Sequence, residues 1–326
     1  MERIYNMKRL GHVLTPLAVL ALILIASTLA QAQATRTWVS GVGDDSNPCS
    51  RTAPCLTFAG AIMKTNVGGE INALDPGGFG SVTINQSVTI DGGEGFAGIL
   101  TLPGTTAIIV NLTTSIANDP EQRVVLRRLS INGTGQCGVG CGLSLGTRAI
   151  NATSFKTLDV EHCFIQNFTT AGINVSLTTS GSRMSVKDTN INNTGIGIQM
   201  TTTGTFGVSG TFDKLRIDNC ASGVIARDRA FITIRDSVVQ ACSTVGVSIQ
   251  APSNVAALIL ENVMLYSVNT GVQAGTLGTN VDLSNTSIMY NSVGISSGGG
   301  AVNSHQNNRI AYNTSAGVVP TPVGQQ

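Results

Sequence analysis

Aromatic side chains are scarce in this sequence: nine Phe, four Tyr and a single Trp among 326 residues. Such rings usually fill the cores of large globular domains, so a thick mixed core is excluded as the organising element. Charge is equally sparse, at 11 % Asp, Glu, Lys and Arg with a formal net charge of +1. That leaves no basic excess to attract nucleic acid. Disorder is excluded as well, because 42 % of the residues are hydrophobic. What is abundant is Gly, 38 residues, together with Val, Ile, Thr, Ser and Asn. These are strand and turn formers, and they point to a repetitive β architecture around a thin aliphatic core.

The first residues have the layout of an export leader. Arg3, Lys8 and Arg9 form a basic start, and Leu14 to Leu29 is an apolar run broken only by Thr15, Pro16, Ser27 and Thr28. Ala30-Gln31-Ala32 supplies the small-x-small cleavage pattern, with a second option after Ala34. The apolar run is short for a spanning helix, and no second run of spanning length follows, so the expected mature chain is secreted or periplasmic without stable membrane insertion. Removing residues 1–32 takes away three basic residues and Glu2, moving the formal charge to about −1.

Seven cysteines in an exported chain suggest disulfides. Cys49 and Cys55 flank a Pro-containing loop and Cys137 and Cys141 a Gly-rich one, so both pairs are candidates for local bridges. Zinc is the competing reading, disfavoured because the spacing is wrong and no His lies near.

A repeat is legible from about residue 126 onward. An aliphatic residue is followed five positions later by a second, and six or seven positions after that by Gly. The central aliphatics are Ile131, Ile165, Ile191, Ile217, Val239, Leu265, Ile288 and Ile310. The earlier ones are Leu126, Val160, Val186, Phe212, Ile234, Leu260 and Leu283, and the glycines run Gly172, Gly197, Gly223, Gly246, Gly271, Gly294 and Gly317. Helical repeats would need Leu/Ala-rich stretches at a period of 3.6, which are missing. Strands stacked coil on coil explain the pattern, since a single coil cannot bury its apolar face alone. Gly and Asn are expected at corners needing unusual backbone angles.

This register aligns like with like. Four residues before the central position run Glu161, Lys187, Asp213, Arg235 and Glu261; three before it run His162, Asp188, Lys214, Asp236, Asn262, Asn285 and Asn307. Signs alternate from coil to coil, as stacked charges require. Three residues after the central position stand Cys220 and Cys242, then Asn291 and Asn313. The two cysteines are close enough to bridge, yet buried thiols also pack well as small apolar groups, and free thiols are the preferred expectation; Cys163 is left over.

Upstream, Thr37-Trp38-Val39-Ser40 reads as a strand, Gly41 to Cys55 as a turn-rich loop and Leu56 to Met63 as a short helical stretch. With Gly43-Asp44-Asp45-Ser46-Asn47-Pro48 and Ala53-Pro54-Cys55, then Thr57-Phe58-Ala59-Gly60-Ala61-Ile62, this segment resembles the start of bacterial right-handed parallel β-helix proteins. Ser81-Val82-Thr83-Ile84 to Val88-Thr89-Ile90-Asp91-Gly92 looks like their first coil. The resemblance is to the pectin-lyase-like superfamily. It implies an all-β, right-handed parallel β-helix solenoid with an N-terminal cap at residues 33–66, coils over 67–318 and a loose tail at 319–326.

That superfamily includes lyases, hydrolases, adhesins and phage tailspikes, so the fold does not deliver the chemistry. The Asn-Thr-Asp, Asp-Asp, Gly-His-Gly and Arg-Ile-Lys signatures of polygalacturonases are missing from the coils; Asp44-Asp45 lies in the cap loop, and His162 and His305 have no neighbouring Gly. A lyase would need a basic residue and carboxylates that hold calcium. Lys214, Arg216, Asp218, Arg227, Asp228, Arg229, Arg235 and Asp236 form the one charge-dense stretch and are the candidate binding cluster. Ladder positions and a solvated loop account for most of them and are the preferred reading. The expectation is a non-catalytic protein that binds a polysaccharide or cell-surface glycan, without a cofactor. A divergent polysaccharide lyase or glycoside hydrolase, with calcium if a lyase, is the alternative.

Overall fold

The computed structural model describes residues 33–112, 117–135, 144–178, 181–205, 207–251 and 254–324. The expected leader, residues 1–32, and the Cys137/Cys141 pair lie outside them. The described chain is a right-handed parallel β-helix. It enters through strand β1 (Ala34–Val39), a five-residue helix α1 (Phe58–Ile62) and strand β2 (Thr65–Ala73), which pairs in parallel with β1. Thr57 caps α1 by accepting from Gly60 N at 2.9 Å, and Asp45 fixes the approach by accepting from the backbone N–H of both Leu56 and Thr57 at 2.9 Å. Phe58, Ala61 and Ile62 turn inward against the first coils, covering apolar surface that a solenoid would otherwise leave raw at its end.

Two core columns run the length of the stack. One follows Ile71, Ile90, Leu126, Val160, Val186, Phe212, Ile234, Leu260 and Leu283, each opposite the next. The second follows Ile99, Ile131, Ile165, Ile191, Ile217, Val239, Leu265, Ile288 and Ile310. These are the aliphatics that the sequence repeat aligns. All but Ile310 are essentially without solvent exposure, and truncating one, as in Ile217→Ala, is expected to cost about 2–5 kcal/mol.

The corners between sheets hold the expected Asn but not the expected Gly. Each coil turns twice through a single residue in the left-handed region. At the first corner these are Arg128, His162, Asp188, Lys214, Asp236, Asn262 and Asn285, with φ between 46° and 55°. At the second they are Asn167, Asn193, Asn219, Ala241, Ser267, Tyr290 and Tyr312, with φ between 51° and 68°. None is glycine. The expected charge row of the first corner is therefore a row of strained turns. In the last coil an extra residue shifts that role from Asn307 to Gln306.

The glycine column serves another purpose. Of its seven members only Gly317 has positive φ. A Cβ on Gly172, Gly197, Gly223, Gly246 or Gly271 would fall within 3 Å of the carbonyl oxygen of the glycine in the next coil. Glycine is required there because the backbones of successive coils approach too closely for any side chain.

Inside the stack, polar residues bond to the rung beside them. Asn291 accepts from Val268 N at 2.9 Å and donates to Leu265 O at 3.2 Å, and Asn313 repeats the arrangement against Asn291 N and Ile288 O. Cys220 lies opposite Cys242 with a Cα–Cα distance of 4.4 Å, and the two form a disulfide. This corrects the expectation of free thiols: opposed positions on adjacent parallel strands fall within bridging range. Cys49 and Cys55 form the other disulfide among the described residues. Cys163 is a buried free thiol. It occupies the register of Thr189, Ser237 and Thr286, and like them donates to the carbonyl two residues earlier, Glu161 O at 3.3 Å. Burial pushes its thiol up to about 12. Within residues 319–326, Thr321–Pro322 pairs with Asn303–Ser304 and adds a short last rung.

Candidate ligand-binding site

The charge-dense stretch from residue 213 to 236 divides among three parts of the coil. Lys214 and Asp236 stand at the first corner. Asp236 Oδ1 accepts from Asn262 Nδ2 at 2.6 Å. Arg235 sits one position earlier, on the outer face of the first sheet, with Nε 3.9 Å from Glu261. Arg216 and Asp218 point outward from the second sheet, and Asp218 accepts from Gln240 Nε2 at 3.1 Å. Arg227 ends its strand and Asp228-Arg229 form the third turn, separated from the corner by strand residues 230–235. Arg229 straps that turn to its neighbours, donating to Gly204 O at 2.9 Å, Thr205 O at 2.5 Å and Asn254 Oδ1 at 3.1 Å. The fold thus brings Lys214, Arg235 and Asp236 to one corner and keeps the third-turn residues away from it.

Arg235 belongs to a longer row than the five members legible in the sequence. Asp91, Arg127, Glu161, Lys187, Asp213, Arg235 and Glu261 lie opposite one another on successive rungs, with signs alternating at every step. At its head Asp91 accepts from Arg128 Nε at 2.8 Å and from Gly93 N at 2.9 Å. Arg127 Nε lies 3.0 Å away, an ion pair by distance although its N–H does not point along the line. Burial works to raise the Asp91 carboxyl, but the Arg128 and Gly93 hydrogen bonds and both guanidinium charges outweigh it, and the group titrates below the usual carboxylate range.

Concavities lie along the described surface. One of about 580 Å³ runs between α1 and the outer side of residues 82–86, with Gln33 at its rim where the described chain begins. A cleft of about 430 Å³ is lined by Trp38, Arg51, Asn72, Asp75 and Glu94 with Pro76, Gly92, Gly93 and Gly95. A groove of about 360 Å³ follows the second corner, lined by Ser243, Ser267, Asn269, Tyr290 and Ser292 beside Cys242. Along that groove Tyr266, Tyr290 and Tyr312 touch in series, with ring centroids 5.4 and 5.2 Å apart, and Arg309 lies 5.6 Å over the Tyr312 ring. All three are exposed. They are three of the chain's four tyrosines. The repeat could have found them, since they follow Leu265, Ile288 and Ile310 by one, two and two positions. The Trp38 cleft draws on four separate segments and leaves no periodic signal.

Among the described residues, no three His, Cys, Asp or Glu side chains are placed to hold a metal ion together, and no helix is long and apolar enough to cross a membrane.

Residues 153–324 match the model of a family described as periplasmic copper-binding protein (NosD). Among solved structures, the fold matches the complex of XylC with xylose at a TM-score of 0.55 and 10 % identity, covering 84 % of this chain and 70 % of that one. Pectate lyase Pel9A matches at 0.40 and 12 %, covering 87 % and 80 %. The GH136 lacto-N-biosidase from Eubacterium ramulus matches at 0.40 and 10 %, covering 89 % and 68 %. At such identities the likeness is one of fold alone. A sequence search of proteins with curated functions found no match.

Proposed function

This chain belongs to the family described as periplasmic copper-binding protein (NosD), and from that premise we propose that it is an exported β-helix that binds a polysaccharide without acting on it. The observation that carries this reading is the groove along the second corner. Ser243, Asn269 and Ser292 occupy equivalent places on successive rungs, each offering a hydroxyl or amide, and Tyr290 forms the wall. Rungs repeat at about 4.8 Å, so the groove offers a periodic row of hydrogen-bonding groups to a linear, hydroxyl-rich chain. Stacking of Tyr290 on Tyr312 occupies one face of each ring, so these rings act as a preformed wall at little further entropic cost. Export with removal of residues 1–32 near Ala32 or Ala34 is part of the proposal.

For copper, which the family description implies, the described residues offer no site built from His, Cys, Asp or Glu ligands. His162 stands on an exposed corner with Nδ1 3.9 Å from Asp188. His305 lies six coils further on, about 29 Å along the axis, so the two cannot share an ion. The Cys163 thiol is buried and held protonated, whereas the thiolate is the ligand. No step is routed through a metal.

Dispersal of the 213–236 cluster over three parts of the coil favours binding over lyase or hydrolase chemistry, which needs its acid, base and calcium carboxylates within reach of one bond. A glycan-array screen of the exported protein tests the proposal: binding to a linear polysaccharide that Tyr290→Ala weakens supports it. Turnover of polygalacturonate or a related polyuronide, with or without calcium, that Arg227→Ala or Arg229→Ala abolishes would replace it with the catalytic alternative.

A further inference from the structure

The cleft at the N-terminal end carries a chemistry that the downstream coils do not repeat. Trp38, the single tryptophan of the chain, is half-buried in its wall. Asn72 lies opposite Trp38 on the next rung, and Asp91 lies opposite Asn72 on the one after. Arg51 and Glu94 are exposed at the rim. A volume of about 430 Å³ is at the small end of ligand sites.

The polar groups around Asn72 are committed elsewhere. Asp75 accepts from Ser40 Oγ at 2.5 Å and from Gly41 N at 2.8 Å. Asp91 is taken by Arg128 and Gly93 N, with Arg127 alongside. Among the described residues the Asn72 amide nitrogen is buried with no acceptor. Buried donors are nearly always paired, and no described residue pairs this one. Asn72 itself lines the cleft, and because the terminal torsion of Asn is broad its amide can adjust to a ligand there.

We propose that this cleft is a separate site for one neutral pyranose ring, stacked on Trp38 and hydrogen-bonded by Arg51, Glu94 and the Asn72 amide. A tryptophan wall suits the apolar C–H face of a sugar, and its indole is the largest such surface a side chain offers. One guanidinium and one uncommitted carboxylate at the rim read neighbouring hydroxyls as acceptor and donor. Their opposite charges leave no surplus positive charge to favour a uronate. The site is independent of the corner groove. The outer row that starts at Trp38 reaches the coil of Tyr290 nine rungs later, about 43 Å away.

Because Trp38 is the only tryptophan, its fluorescence reports on this cleft alone. The exported protein is titrated with methyl glycosides of glucose, galactose, mannose, xylose and N-acetylglucosamine, with galacturonate as the charged comparator. The expected result is a saturable change in emission with at least one neutral glycoside in the millimolar range. Arg51→Ala and Asn72→Ala are expected to weaken it roughly tenfold each, the scale of one lost hydrogen bond to a charged or buried partner. Tyr290→Ala leaves it unchanged, which separates this site from the corner groove. Asn72→Ala is expected to melt no lower than the parent, because the donor it removes has no partner among the described residues. No saturable change with any neutral glycoside, or a tighter response to galacturonate, overturns the proposal. So does an Asn72→Ala variant that melts lower while its sugar response is intact, since the amide is then a structural post.

Discussion

Reversing one sign in the alternating outer row tests whether that row stabilises the stack. Asp213 lies between Lys187 and Arg235, and Asp213→Lys places three cations on consecutive rungs. At a spacing of about 5 Å, two unit charges in water-like surroundings interact by ~0.8 kcal/mol. Side-chain motion and counterions reduce this to about 0.3–0.5 kcal/mol for a partly exposed pair. The substitution removes two attractions and adds two repulsions, so the expected loss is about 1.5 kcal/mol at low salt. Asp213→Asn removes only the attractions and is expected to cost about half as much. Neither change disturbs the backbone bond from Asp188 N to Asp213 O. The assay is urea unfolding in roughly 20 mM and roughly 1 M salt, where the screening length falls from about 20 to about 3 Å. The difference between parent and Asp213→Lys should shrink severalfold at high salt. An Asp213→Lys variant within about 0.3 kcal/mol of the parent at low salt refutes the reasoning, as does an equal loss in both salts, because packing and not charge is then responsible.

Gly223→Ala is expected to destabilise by about 1–3 kcal/mol, because its Cβ meets the Gly246 carbonyl and the Val239 side chain; Gly78→Ala, with nothing within 4 Å, serves as the control, and comparable melting temperatures for the two would contradict the close-approach argument. The depressed Asp91 carboxyl adds stability that is complete above the unfolded carboxylate pKa, about 3.9, and is lost as the pH falls through its lower folded value. Asp91→Asn should therefore flatten the acid side of the stability–pH curve, and an unchanged curve would refute the linkage. Cys163, buried with its thiol pushed up to about 12, should resist a thiol-specific disulfide reagent at pH 8 until the protein is unfolded. Cys163→Ser should remain folded within about 1 kcal/mol of the parent, because serine and threonine fill that register in other coils.

The sequence carries the core columns because burial repeats the same demand at every rung. Ile131 through Ile310 could be aligned without knowing the strands, and the structure pairs every one of them as aligned. The purpose of a column was harder to read. Glycine looked like a turn residue, whereas its cause is a neighbouring coil, a contact with no local signature. Cys220 and Cys242 were aligned correctly, but a shared register does not say whether two thiols are joined. The tyrosine row keeps no strict position, with Tyr266 one residue before the corner and Tyr290 and Tyr312 on it, and in other coils that corner holds Asn, Ala or Ser, so only the aligned repeat brings the three rings together. The Trp38 cleft was hidden because residues 38, 72–76 and 92–95 meet only after the first coils have folded, upstream of any regular period.

The two one-residue corners have a consequence for how such a molecule can change. From the first corner to the second each coil between His162 and Tyr290 keeps the same five-residue step, and the last coil, from Gln306 to Tyr312, takes one residue more, so this span varies little. The third turn is different. Two residues separate the strand ends Arg227 and Ala230, and five separate Gln250 and Ala256 one coil later, while the strands that follow keep their register. New sequence can therefore be grafted at that edge coil by coil, each insert answering only to its two neighbours. The solenoid acts as a rack on which variable loops can be exchanged one shelf at a time, and its lineage is free to diversify what it recognises without renegotiating how it folds.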